Sequence, residues 1–229
     1  MEKHFLIALF FLPLLLSSQV DTESSSADAN YLEDQFYLGV NYNFMLKKPD
    51  DVFKRNFSYG LQIGFIKDLP LNDSRTIALG LGLGYAVNSY YSNLIVTNEN
   101  DVISYYAESD ASLYDRSKFE LHSIELPFEL RWRNSSPTKY KFLRIYSGVK
   151  FAYNFSARSK LVTSTERLGF SNPDLERLQY GLTLNLGYNT FNLHLYYSLS
   201  DFLKKDTQLD TGEAIAINSL RVGLIFYIL

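Results

Sequence analysis

The sequence predicts an all-β protein, an eight-stranded antiparallel up-and-down β-barrel. Three observations carry that expectation. Eight segments alternate large apolar residues with small or polar ones at a period of two. No stretch of similar length holds a helical period, and short and long connections alternate between the segments. A chain of 229 residues suits one large β domain.

At the N-terminus, Lys3 and His4 precede an apolar run from Phe5 to Leu16, followed by Ser17, Ser18 and Gln19. That run is too short for a helix of about 20 residues and fits the apolar core of a secretory signal. Residues 1–18 are therefore expected to be a cleaved signal peptide, 19–33 a flexible acidic, Ser-rich leader, and 34–229 the barrel.

The first strand is expected in QFYLGVNYNF, where Phe36, Leu38, Val40, Tyr42 and Phe44 alternate with Tyr37, Gly39, Asn41 and Asn43. The second, FSYGLQIGF, sets Phe57 to Phe65 against Ser58, Gly60, Gln62 and Gly64. In the third, TIALGLGLGYAV, Gly80, Gly82 and Gly84 oppose Leu79, Leu81, Leu83 and Tyr85. A dinucleotide loop needs G-x-G-x-x-G leading into a helix, and this spacing is strictly two. The fourth, FELHSIELPFELRWR, places Ile124, Leu126, Phe128, Leu130 and Trp132 against Glu125, Pro127, Glu129, Arg131 and Arg133. The fifth, RIYSGVKFAYNF, opposes Ile145, Val149, Phe151, Tyr153 and Phe155 with Arg144, Tyr146, Lys150 and Asn154. LQYGLTLNLGY, FNLHLYYSLS and SLRVGLIFYIL supply the sixth to eighth, the last ending Phe226-Tyr227-Ile228-Leu229 with its alternation lost.

Alternation alone leaves the inside face undecided. A soluble lipocalin-like barrel needs a solvated exterior of charged residues. On the second, third and sixth segments the non-apolar face is mostly Gly, Ala, Ser, Thr, Asn and Gln, which makes a poor water-facing surface. It suits the packed interior of an eight-stranded barrel, where small residues leave room for large ones. The leucine face then looks at lipid, and the barrel is transmembrane. Connections after the second, fourth and sixth segments are short, while those after the third and fifth are long and polar, as in outer-membrane barrels. Aromatics gather towards both ends of the segments, as two interfacial girdles require. The expected location is thus the cell outer membrane, with outer-membrane lipid as the surrounding partner.

The interior of the fourth and fifth segments is expected to hold a charged network of Glu125, Glu129, Arg131, Arg133, Arg144 and Lys150. A hairpin turning around Ser136 and Pro137 would set Glu129 opposite Arg144. Such a network would plug the barrel; a narrow small-solute pore is the alternative. The long loops are where recognition is expected, with Tyr105, Tyr106, Asp110, Tyr114 and Asp115 as candidates for contact with a partner protein or surface ligand.

From Glu125 to Tyr153 the chain resembles the PorT-like outer-membrane β-barrel proteins of Bacteroidetes. The resemblance rests on Glu125, Leu126, Pro127 and Phe128, then a short turn, then Gly148, Lys150 and Tyr153. It implies an outer-membrane barrel, in some relatives associated with type IX secretion.

Enzymatic chemistry is not expected. His194 and Ser198 share a face but lie four residues apart, about 13 Å along a strand, beyond the reach of a nucleophile and its base. His122 and Ser123 point to opposite faces. There is no Cys, only 3 His, and no ligand spacing for a metal, so neither cofactor nor metal is expected. A net charge of −3 offers no basic surface for nucleic acid, and the barrel is expected to be monomeric. The function that follows is non-enzymatic: structural, or associated with secretion or transport.

Overall fold

The computed structural model describes residues 34–134 and 142–228, so the expected signal peptide and leader lie outside the described residues. Eleven strands form among these: β1 (Asp34–Leu46), β2 (Tyr59–Pro70), β3 (Ile77–Ser92), β4 (Leu94–Glu99), β5 (Val102–Ala107), β6 (Arg116–Arg133), β7 (Leu143–Val162), β8 (Arg167–Ser171), β9 (Leu178–Tyr188), β10 (Phe191–Ser198) and β11 (Asn218–Ile228). Eight close a ring, β1–β2–β3–β6–β7–β9–β10–β11, in which β11 pairs back onto β1 and every ladder is antiparallel. Closure leaves no unpaired edge, which lets a sheet sit in lipid with its backbone satisfied.

Side chains alternate across the wall as the period of two requires. On β3, Leu81 is 43% exposed on the outside. The glycines between the leucines face inward, where neighbours come too close for a side chain. A Cβ on Gly80 would lie 2.7 Å from Cδ of Arg131, and one on Gly82 would lie 2.8 Å from both Pro127 Cγ and the carbonyl oxygen of Phe65. On Gly84 it would collide with the Tyr37 hydroxyl. Gly on one strand is therefore the space that Arg, Pro and Tyr on others occupy.

Rings pair on the outer surface towards both rims. Phe36 meets Phe65 at 5.3 Å and Phe191 meets Phe226 at 6.3 Å near the short turns. Tyr42 meets Phe57 at 5.1 Å and Tyr85 stacks on Phe155 at 6.1 Å near the long loops.

Two expectations about the strands are corrected. Alternation is not lost at the C-terminus: along β11, Ile225 turns inward beside Tyr37 and Ile66, Tyr227 packs against them, and Leu224 and Ile228 face out. Apolar inward residues at this end fill the lumen, which is why the sequence looked uniformly apolar there. The β6–β7 hairpin does not set Glu129 opposite Arg144. Glu129 faces Gly148, and Arg144 faces Arg133, because the ladder begins at Arg133 and Leu143 is already in strand.

The long connections are folded rather than open polar loops. β4 and β5 form a hairpin of their own, and β8 adds to the outer part of β7. β6 and β7 run past the barrel rim, and residues 201–217 close over the mouth against them. Under this cap lies an apolar core including Val52, Tyr90, Leu94, Phe119, Leu121, Leu175, Phe202, Leu203 and Ile217. A bulge interrupts the β6–β7 ladder where it leaves the barrel: Ser123 pairs with Asn154, but His122 pairs with Ser156. Phe155 is the extra residue. Below it the odd-numbered residues of β7 face outward, and above it the even-numbered ones do.

Candidate functional site

The lumen is held by two clusters of charge. Towards the short-turn end, Asp68 at the end of β2 accepts hydrogen bonds from both Arg131 and Arg133 of β6. Nε of Arg131 lies 3.3 Å from Glu129 Oε2, and its guanidinium sits 3.9 Å over the Tyr146 ring and 4.9 Å from that of Tyr227. Arg133 also donates to the Arg75 carbonyl at 2.9 Å. Deeper in the barrel, Glu125 accepts from Lys150 at 2.8 Å and from Arg221 of β11 at 3.0 Å. Lys150 reaches Gln62 at 2.9 Å, and Arg221 reaches the Tyr90 hydroxyl at 3.1 Å and lies over the Tyr196 ring. Glu129 accepts from Asn185 at 3.0 Å.

All six residues expected in the network are buried in the lumen, yet five of them fall into these clusters and one stands apart. Arg144 donates to the Asn189 carbonyl at 2.6 Å and lies over Phe142, and it makes no ion pair among the described residues. Two essential members were absent from the expectation. Asp68 falls in the short connection expected after the second segment, which was ended at Phe65, although it continues the inward series Gln62, Gly64, Ile66 on β2. Arg221 sits on the inward face of β11 and needed only the same parity argument.

The cavity bounded by Tyr37, Ile66, Pro127, Glu129, Lys150, His194 and their neighbours is about 10 Å³, the room of one water. His194 Nδ1 is 2.5 Å from Asn185 Oδ1, and Ser198 donates to the Ser200 carbonyl at 2.7 Å, so each has a partner other than the other. His122 lies on the outer face against the Tyr85 hydroxyl at 2.6 Å. Among the described residues no three His, Asp or Glu converge where a metal could bind.

The loop candidates divide. Tyr105 and Tyr114 are corrected as recognition residues, since they are 3% and 4% exposed. The Tyr105 hydroxyl contacts Asn172 at 3.2 Å and donates to Asp174 at 2.9 Å, which ties the β4–β5 hairpin to the β8–β9 connection. Burial pushes its ionisation well above the ordinary tyrosine range. Tyr114 packs with Ile95 and Leu161, and Tyr106 lies half-buried against them. Aromatic rings in these segments were bought by the cap core and not by a ligand surface. Asp110 and Asp115 are exposed; Asp110 accepts from the Ser112 amide at 2.8 Å and hydroxyl at 2.7 Å, which holds its carboxyl below the usual range.

At the foot of the cap, Glu120 accepts from Lys118 and Lys160, both at 2.5 Å. Burial opposes its charge, but the two lysines outweigh that and bring its carboxyl down to about 2. Lys118 is raised in turn, again against burial.

No curated protein matches the chain. Two crystal structures of Ail, the attachment invasion locus protein of Yersinia pestis, are similar at 12% identity, covering 86% of this chain and 98% of that one, with TM-scores of 0.38 and 0.37. The second of them holds Ail in complex with the heparin analogue sucrose octasulfate. The family described as outer membrane protein beta-barrel domain matches residues 17–204. With a closed eight-stranded ring, a lipid-ready exterior and that match over most of its length, the chain belongs to the outer membrane protein beta-barrel domain family.

Proposed function

We propose that the protein is a closed, non-enzymatic barrel whose lumen serves as a structural plug and whose work is done by the cap it carries outside the cell, in a structural or secretion-associated role. The observation behind this reading is the lumen itself: Asp68, Glu125 and Glu129 are engaged by Arg131, Arg133, Lys150 and Arg221, which reach across it from different strands. A conducting pore needs a continuous wet path, and ion pairs packed across the lumen stand in its way. The hairpin that resembles PorT-like proteins supports the same view. Glu125 and Lys150 pair with each other, and a Cβ on Gly148 would strike the Phe128 carbonyl, so these residues are committed to packing. Export through a signal peptide cleaved near Ser18 and action as a monomer complete the proposal.

Single-channel recording tests it. The chain purified from outer membranes and inserted in planar bilayers is expected to leave the baseline without discrete steps. Stable conductance that changes on Glu129→Ala or Arg144→Ala would overturn the plug in favour of a small-solute pore.

A further inference from the structure

The part of β6, β7 and β8 that rises beyond the barrel has two faces of opposite character. Its inner face, with Phe119, Leu121 and Ala157, is buried in the cap core. Its outer face carries Arg116, Lys118, Glu120, Arg158, Lys160 and Arg167, five cations and one carboxylate. Register brings them together: Lys118 opposes Lys160, Glu120 opposes Arg158, and Arg167 opposes Val162, the neighbour of Arg116 across the ladder. Glu120 is already shared by the two lysines. Arg116, Arg158 and Arg167 make no ion pair among the described residues. An open cleft of about 220 Å³ lies between Arg116, Lys118, Lys160 and Val162.

Two features say what such a surface meets. The first is the bulge at His122 and Ser123. Without the extra residue Phe155, the parity of β7 would turn Arg158 and Lys160 into the cap, so the bulge re-aims both cations outward. The second is height. The patch continues the same outer face that lower down presents Ile124, Leu126, Tyr153 and Phe155, all exposed and apolar. From His122, at the aromatic girdle, Lys118 is four residues up its strand, about 13 Å. With a strand tilt of about 40° that is about 10 Å along the membrane normal. Headgroups occupy roughly the first 5–8 Å beyond the hydrocarbon, and long basic side chains bend towards them.

We propose that this outer face binds the phosphate groups of a phosphorylated lipid in the outer leaflet, whose acyl chains lie along the apolar wall beneath. The patch is net positive and, beyond the bulge, lies on the same outer face as the apolar wall. The inference stands apart from the plugged lumen, since either could hold without the other.

Binding of diphosphorylated lipid A to the protein, extracted from outer membranes into neutral detergent, tests the proposal. Salt should weaken the binding. Replacing Arg116, Lys118 and Lys160 together by Gln should weaken it about a hundredfold, at about fivefold per cation lost near an anionic surface, while the unboiled form keeps its migration on SDS gels. Glu120→Gln, which removes the one carboxylate, should tighten it about fivefold. Unchanged affinity in the triple variant would overturn the proposal; should that variant not fold, absence of tightening in Glu120→Gln would do so. Competition by inorganic phosphate at matching concentration would assign the patch to a free anion, and tighter binding of dextran sulfate than of lipid A would assign it to a soluble polyanion. Either result would also overturn the lipid.

Discussion

Replacing Glu125 by Gln changes one buried charge and almost no volume. Glu125 is 1% exposed and accepts from Lys150 and Arg221 at 2.8 and 3.0 Å. Losing one partner of a buried ion pair typically costs about 3–5 kcal/mol, because the charge left behind is not compensated. Here each cation keeps a second acceptor, Gln62 for Lys150 and the Tyr90 hydroxyl for Arg221, so the lower end, about 3 kcal/mol, is expected. The assay is urea unfolding of the protein in lipid vesicles. With slopes of about 1–3 kcal/mol per molar, the midpoint should fall by roughly 1–3 M. Glu120→Gln is the control, since it also loses two lysine contacts but at a partly exposed site, with Glu120 14% and Lys160 32% exposed, where the loss should be smaller. Equal losses for the two variants, or a loss under about 1 kcal/mol for Glu125→Gln, would refute the argument that burial makes the lumen pair critical.

Leu81→Arg and Leu184→Arg should each cost about 2–4 kcal/mol in vesicles if these outward residues lie near the bilayer midplane, measured by the same unfolding titration. Phe202 is fully buried in the cap with its ring 4.3 Å from that of Tyr90, so Phe202→Ala should cost about 3–5 kcal/mol locally. Limited proteolysis should then cut within residues 94–107 or 201–217 while the barrel stays resistant. The Glu120 carboxyl, held at about 2 in the folded protein, should titrate there by NMR and not in the usual carboxylate range. Because its folded value is depressed, its contribution to stability is full above the unfolded value and is lost as pH falls towards 2.

The barrel was legible because a wall with lipid on one side and a packed lumen on the other writes a period of two into every strand. The inward glycines of β3 even announced a crowded interior. What stayed hidden obeys other rules. β4, β5 and β8 sit in a cap whose burial follows a local core, so Tyr105 and Tyr114 alternate with nothing and looked like loop aromatics. The register of β6 on β7 depends on a connection that no periodicity encodes, which is how Glu129 was set against Arg144 and not Gly148. Asp68 was missed for a plainer reason. The tract after Phe65 carries Pro70 and Asn72, which read as turn, while β2 continues to Pro70.

The cap core has a mechanical consequence. With the cap outside the cell, as proposed, a barrel that enters the membrane from the periplasmic side must pass its long segments across before Tyr90, Leu94, Phe202 and Leu203 can meet. Once they have met, a folded body wider than a strand stands on the far side of a lumen already filled by Arg131, Arg133 and Tyr146. The cap then acts as the head of a rivet: the topology chosen during insertion is locked from outside, and withdrawal requires unfolding the cap first.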